Sequence, residues 1–420
     1  MINRIKFLIS RIRERLWVKP LAMCVISIVA VFLVKAADYG DTPPFIPRIS
    51  PETIETLLKI IAASMLVIAT FSVGSMVSSY AAAGGTATPR SFPLIISDDV
   101  SQNALSSFIG AFIFSTVALI ALLNGLYDTG GLFALFCLTL FVFAAVIVTF
   151  VRWVDCIARL GRLGNTIDKV EVATADAFKT RCRAPTLGGV PARPRPAGSV
   201  AIYGDVVGYV QRVDVANLQE LAEEADLRLE VASLPGTFSA PGQPLAYIIG
   251  GTHVYEEAYT AKIIAAFEIG GERTFNEDPR FGLVALSEIA GRALSPAVND
   301  PGTAIDIIGT FVRLFMLWDK PVDDDHKEPC IYDRVEVPEL DMHDMFGDAF
   351  MAIARDGAGS VEVGIRLQKA FRSLRLARHS DMRDAAKKHS SLAMARAELA
   401  LNFPDDLDVL RKLSSSVSAT

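Results

Sequence analysis

The stretch "RALSPAVNDPGTA" gathers Arg292, Ser295, Asn299, Asp300 and Thr303 in a short run of chain. Asp300 followed by Pro301 is a helix-start signal. The carboxylate accepts from free main-chain N–H groups, and proline suits the first helical position. A helix N-terminus also attracts anions. Arg292 and Thr303 would add donors for a phosphate or carboxylate. Asn299, Asp300 and Asp306 would instead offer oxygens to magnesium or calcium, and Asp300 cannot serve both ligands. The competing reading is a corner between two helices: Ser295–Pro296 ends one, Asn299 turns the chain, and Asp300 caps the next. The corner explains each of these residues without a ligand, and both readings stand at this stage.

Other groupings carry less. Glu339, Asp341, His343, Asp344 and Asp348 could bind a transition metal, yet acids in a first helical turn are stabilised there anyway. His253 with Glu256 and Glu257 is a similar, weaker set. The GxSxG, Walker, Rossmann and HExxH patterns do not occur. The sequence therefore calls for no cofactor, and a conventional enzyme is the weakest class. A net charge of -6 gives no reason to expect nucleic acid, and no aromatics are interleaved with basic clusters. Cys24, Cys137, Cys156, Cys182 and Cys330 form no CxxC pair, which suggests neither zinc nor a redox motif and fits a reducing compartment.

The 420-residue chain is 51% hydrophobic and 21% charged, with a mean hydropathy of +0.36. That balance suggests a membrane part fused to a soluble part. Four apolar runs, Leu16–Ala37, Ile54–Val77, Ala104–Leu126 and Leu132–Val154, are long enough to cross a bilayer as helices. The first resembles a signal peptide in its basic start, but no small-residue cleavage site follows, so it reads as a retained span. Arg4, Lys6, Arg11, Arg13 and Arg15 precede the first run, with Lys19 in its opening residues, and Arg152 at the end of the last run is followed by Arg159, Arg162 and Lys169. Positive charge on these flanks puts both termini in the cytoplasm.

The second run has a polar stripe, Ser64, Ser72, Ser75 and Ser79, and the third opens with Gln102, Ser106 and Gly110 four apart. Ser72, Ser75, Ser79, Gln102 and Ser106 could line a water-filled path, or could let helices approach closely and hydrogen-bond across the contact. No charge lies mid-span, which argues against a proton relay or voltage sensor.

The sequence divides into a transmembrane domain (1–154), a juxtamembrane helix and linker (155–199), a small β-rich subdomain (200–250), a mainly helical subdomain (251–412) and a disordered tail (413–420). The fold class is thus membrane α-helical with four transmembrane helices, plus a cytoplasmic α/β domain. In the linker "RCRAPTLGGVPARPRPAGS", Arg181, Arg183, Arg193 and Arg195 could touch anionic lipids or be solvated in a mobile connector. From 200 to 249 the order is β-β-α-β-β, suggesting a small barrel or sandwich. "PGTFSAPGQPLAYI" looks like the strand-turn-strand of biotinyl/lipoyl carriers, but no lysine lies between Val200 and Gly250 to hold a swinging arm. Beyond it, "VYEEAYTAKIIAAFEI" reads as one amphipathic helix, "DPRFGLVALSEIAGRAL" and "DPGTAIDIIGTFVRLFMLWDK" as two that share an Asp-Pro start, and "YDRVEVP" as a strand.

Three blocks resemble a bacterial family of predicted membrane proteins, the domain-of-unknown-function 2254 family. They are "ATPRSFPLIISDDVSQNALSSFIGAF", "GYVQRVDVANLQELAEEADLRLEVASLPGTFSAPGQPLA" and "GERTFNEDPRFGLVALSEIAGRALSPAVNDPGTA". The resemblance implies four spans followed by a cytoplasmic domain in a bacterial inner membrane, and brings no catalytic or binding residue with it. The Arg-Pro linker is longer and more basic than the family pattern. The expected function is channel-like passage through a homo-oligomer, gated by the cytoplasmic domain. The alternative is a membrane-anchored sensor or scaffold binding a ligand or partner at the corner Asn299–Thr303.

Overall fold

The computed structural model describes residues 17–39, 47–96, 99–250, 257–321 and 329–419. They fall into two units, Met1–Thr166 and Ile167–Thr420.

The first unit contains α1 (Val18–Val34), α2 (Pro51–Thr86), a short α3 (Phe92–Ile96), α4 (Asp99–Leu123) and α5 (Thr129–Leu160). Helix α4 is central and packs against α1, α2 and α5. Small residues allow this: Ala104, Ala111 and Ala118 are buried, and Ser27 of α1 donates to the Gly110 carbonyl at 3.0 Å. Trp153 of α5 meets Phe108 and Phe71 edge-on. Large apolar side chains such as Phe32, Val67, Phe71, Phe141 and Val151 point outward, as expected of helices facing lipid. A knot closes one end: Lys35 donates to Leu126 O, and Tyr127 donates to Val31 O. Asp38 accepts from the main-chain N–H of Asp128 and Gly131, capping α5 from a distant turn.

Among the described residues, four helices are long and apolar enough to cross a membrane: Pro51–Gly85, Val100–Leu123, Thr129–Arg159 and Pro301–Trp318. The expected number is met, but the membership differs. The first expected span is the 17-residue Val18–Val34, about 26 Å long at helical rise. Pro301–Trp318, read from sequence as a soluble helix, passes on length and composition. Its apolar face is used inside the second unit, where Phe311 packs on Phe350 and Phe315 on Phe346.

The second unit begins in α6 (Leu163–Arg183), which is separated from the end of α5 by two residues. A five-stranded mixed sheet follows, built from β1 (Gly189–Pro191), β2 (Val200–Tyr203), β4 (Arg228–Val231), β6 (Pro244–Ile249) and β8 (Tyr332–Val337), in the order β1-β8-β4-β6-β2. β8 is parallel to β1 and β4; the other pairs are antiparallel. A smaller antiparallel sheet has the order β5-β3-β7, from β3 (Gly208–Val213), β5 (Phe238–Ser239) and β7 (Phe267–Gly270). α7 (Val215–Glu224) is capped by Asp214 and packs on β8 and β4. The β part therefore draws β1, β7 and β8 from outside 200–250.

Two local expectations change. The helix expected through "AAFEI" stops: α8 is Glu257–Ala265, and Phe267–Gly270 leaves as β7 to pair with β3. Pairing with β3 satisfies main-chain groups that the helix would otherwise satisfy. The Arg-Pro linker is not free: Gly189–Pro191 pairs with β8, and Arg195 grips Glu230 through both Nε and Nη2 at 2.8 Å while lying over the Tyr247 ring. Glu230 and Glu336 sit opposite each other on β4 and β8, both buried. Arg195 and Arg228 answer this like-charge pair, since unpaired buried carboxylates are costly.

The helical part comprises α9 (Pro279–Ala293), α10 (Pro301–Trp318), α11 (Met342–Asp356), α12 (Val361–Leu374), α13 (Ser380–Ala400) and α14 (Pro404–Ala419). Phe311, Phe315, Phe346, Phe350 and Phe371 form its centre. The tail expected to be disordered is helical as far as Ala419.

Candidate functional site

The corner between α9 and α10 forms as a sharp joint. Ser295 N and Ser295 Oγ both donate to the Arg292 carbonyl, the latter at 2.7 Å. Asn299 adopts a left-handed backbone at φ 50 and donates its N–H to Ser295 O, a conformation that asparagine tolerates better than most residues. Asp300 N then reaches back to Ala293 O. The Asp300 carboxylate takes Thr303 N at 3.1 Å and Thr303 Oγ1 at 2.6 Å. The Thr303 hydroxyl, with help from main-chain N–H groups, holds the Asp300 carboxyl below its ordinary range. Ser295, Asn299, Asp300 and Thr303 are thus brought to one turn, bonded in two pairs, Asn299 to Ser295 and Thr303 to Asp300. Arg292 contributes its main-chain carbonyl, and its side chain is exposed.

Both helices of the corner touch α6. Gly282 of α9 lies against Thr174. Arg313 of α10 clasps Glu171, with Nε at 2.7 Å from Oε1 and Nη2 at 2.5 Å from Oε2. Phe178 packs edge-on against Phe315 and Trp318 of α10. Arg181, 3% exposed, reaches the main-chain carbonyl of Glu277 beside the α9 start.

That last contact opens a charge cluster that sequence reasoning missed, in which Arg181 and Asp278 are buried while the Glu277 side chain is a third exposed. In "GERTFNEDPRF", Arg273 binds Asp278 with Nε at 2.6 Å and Nη2 at 3.0 Å. Asp278 also caps α9 through Phe281 N. Gly236, in a left-handed conformation, leaves no room for a side chain beside Asp278. Arg212 of β3 lies 3.4 Å from the Glu277 carboxyl. Burial pushes Glu277 up to about 7, with Glu268 and Asp214 adding to the rise against Arg212 and Arg181. Burial lowers Arg181 to about 10. The available signal was the density of charge in a block otherwise read only for its helix start.

The remaining expected sites separate. Ser72 is fully buried, whereas Ser75 and Ser79 are half-buried. Gln102 and Ser106 are buried and bonded within the chain: Gln102 Nε2 donates to Ile96 O, and Ser106 Oγ donates to Gln102 O. Of the acidic set, Asp341 caps α11, while Asp344 and Asp348 hold Arg280. Among the described residues no His, Cys, Asp and Glu group is arranged to hold a metal. His253 and Glu256 lie outside the described residues. Arg181 is buried and Arg195 is bound to Glu230; Arg183 and Arg193 have exposed side chains.

A family model described as "Predicted membrane protein (DUF2254)" matches residues 13–373. Uncharacterized proteins from Mycobacterium tuberculosis and Mycobacterium bovis are each 26% identical to the chain over 332 residues, covering 73% of it. The match spans 61% of those relatives' length. No solved structure matches.

Proposed function

The chain belongs to the DUF2254 family of predicted membrane proteins, and from that premise we propose that it is a membrane-anchored sensor or scaffold that transmits through α6. The observation that carries this reading is the position of α6. Two residues separate it from the last expected span's helix, and it contacts both α9 and α10, the helices on either side of the Asn299–Thr303 corner. A ligand or partner that altered the angle of that corner would move contacts made by α6. The reading sets both termini in the cytoplasm of a bacterial inner membrane, supported by Arg152 at the end of the last expected span and by Arg159, Arg162 and Lys169 beyond it.

The channel reading has less support. Ser72, Gln102 and Ser106 are buried, and the last two donate inside their own chain, the usual role of such residues in helix packing. The separating experiment is flux into liposomes holding the purified chain. The sensor reading expects no ion or small-solute flux. Flux abolished by Ser75→Phe would overturn it in favour of a pore.

A further inference from the structure

Two guanidiniums converge over one glycine of α10. A β-carbon at Gly309 would stand 2.8 Å from Arg366 Nη2 and 3.9 Å from Arg313 Nη1. Any side chain at 309 would push the Arg366 guanidinium away from the α10 main chain, and Gly309 is buried at that point. Arg313 belongs to α10 and Arg366 to α12, and both are exposed residues.

The two arginines are held differently. Glu171 of α6 takes Nε and Nη2 of Arg313, and Nη2 also donates to Thr310 Oγ1 at 3.0 Å. That grip fixes the plane of the guanidinium. It leaves Nη1, the nitrogen near Gly309, without a hydrogen bond among the described residues. Asp168 and Asp306 also act on Arg313. Arg366 has no hydrogen bond and no carboxylate partner among the described residues. It nevertheless lies beside a second cation, a placement that like charge disfavours. Two guanidinium edges facing one point suit a phosphate, whose oxygens accept from such donors at about 2.7–2.9 Å.

We propose that Arg313 and Arg366 clamp a phosphate group, free in solution or carried by a lipid headgroup, with Gly309 as the floor of the site and Glu171 as the residue that positions Arg313. A bound phosphate ties α12 to α10 and, through Glu171, to α6. The consequence for signalling rests on the reading of α6 as the transmitting helix; the binding does not.

The test uses the full chain in nanodiscs at fixed ionic strength. In one arm, inorganic phosphate is titrated by calorimetry into phosphatidylcholine discs. In the other, the discs carry phosphatidic acid, and hydrogen exchange in residues 305–315 and 362–370 is compared with that in phosphatidylcholine alone. Saturable heat in the first arm marks a free phosphate; slower exchange in the second marks a headgroup; either supports the clamp. Arg366→Gln and Arg313→Gln should each weaken binding by about tenfold or more, the loss of charge-assisted hydrogen bonds. Arg366→Lys keeps the charge without the fork and should retain part of the affinity. Arg372→Gln, six residues further along α12, should leave binding unchanged. The thermal midpoint of Arg366→Gln should match that of the natural chain, since Arg366 makes no bond there that its loss would break. No binding in either arm, or an equal loss in Arg366→Gln and Arg372→Gln, would overturn the clamp. Binding without slower exchange across 167–183 would leave the clamp in place and overturn its coupling to α6, and with it the sensor reading.

Discussion

Gly282 on α9 and Thr174 on α6 approach so closely that a β-carbon at 282 would overlap the Thr174 side chain. Thr174 is 1% exposed, and its hydroxyl is bonded to Val170 O, so it has little freedom to withdraw. The contact makes α9 and α6 packed neighbours. Gly282→Ala should therefore destabilise the second unit by about 1–3 kcal/mol, the usual cost of overpacking. Thr174→Ala should return part of that loss in the double variant, a coupling that denaturant unfolding of the four chains measures. Additive effects would mean the two residues do not share a contact.

Arg195 ties the Arg-Pro linker to the sheet. Its loss leaves Glu230, 7% exposed, facing Glu336 without its bidentate partner. Arg195→Ala should cost about 1–3 kcal/mol, the penalty of a buried acceptor left unmatched. It should also speed proteolysis within 184–199. An unchanged cleavage pattern would mean the linker is held by β1 alone.

His389 sets an acid limit on the helical part. Burial beside Phe346 and Phe371, with Lys388, His343 and Arg396 nearby, lowers it from 6.5 to about 4. The unfolded chain takes up this proton before the folded one does. Stability contributed by neutral His389 is thus complete above about pH 6.5 and drains away down to about pH 4, by about 3 kcal/mol at most. His389→Gln should flatten that part of the stability–pH curve. An equal slope in both chains would place the acid sensitivity elsewhere.

The local features were legible because they are written locally. The two Asp-Pro helix starts form as read, with Asp278 accepting from Phe281 N and Asp300 from Thr303 N. The left-handed Asn299 followed from its place between a helix stop and a helix start. What lay hidden depends on residues far apart in sequence. Gly189–Pro191 becomes a strand only because β8, more than a hundred residues on, lies beside it. Phe267–Gly270 leaves its helix because β3 offers a partner. Arg195 looked solvated because nothing near it in sequence marks Glu230 as its partner. The Glu277 cluster needs α6, β3 and β7 brought together, and no single stretch of sequence carries that.

The central claim is that α6 reads the corner between α9 and α10. Asp300 is bonded to Thr303 and to Ala293 O at that corner. Asp300→Ala should remove the α10 cap at a cost of about 1 kcal/mol. The decisive measurement is hydrogen exchange of this variant in the full-length chain, compared with the natural one. The account predicts faster exchange in α6, across residues 167–183, as well as in the first turn of α10. A change confined to that first turn would contradict it.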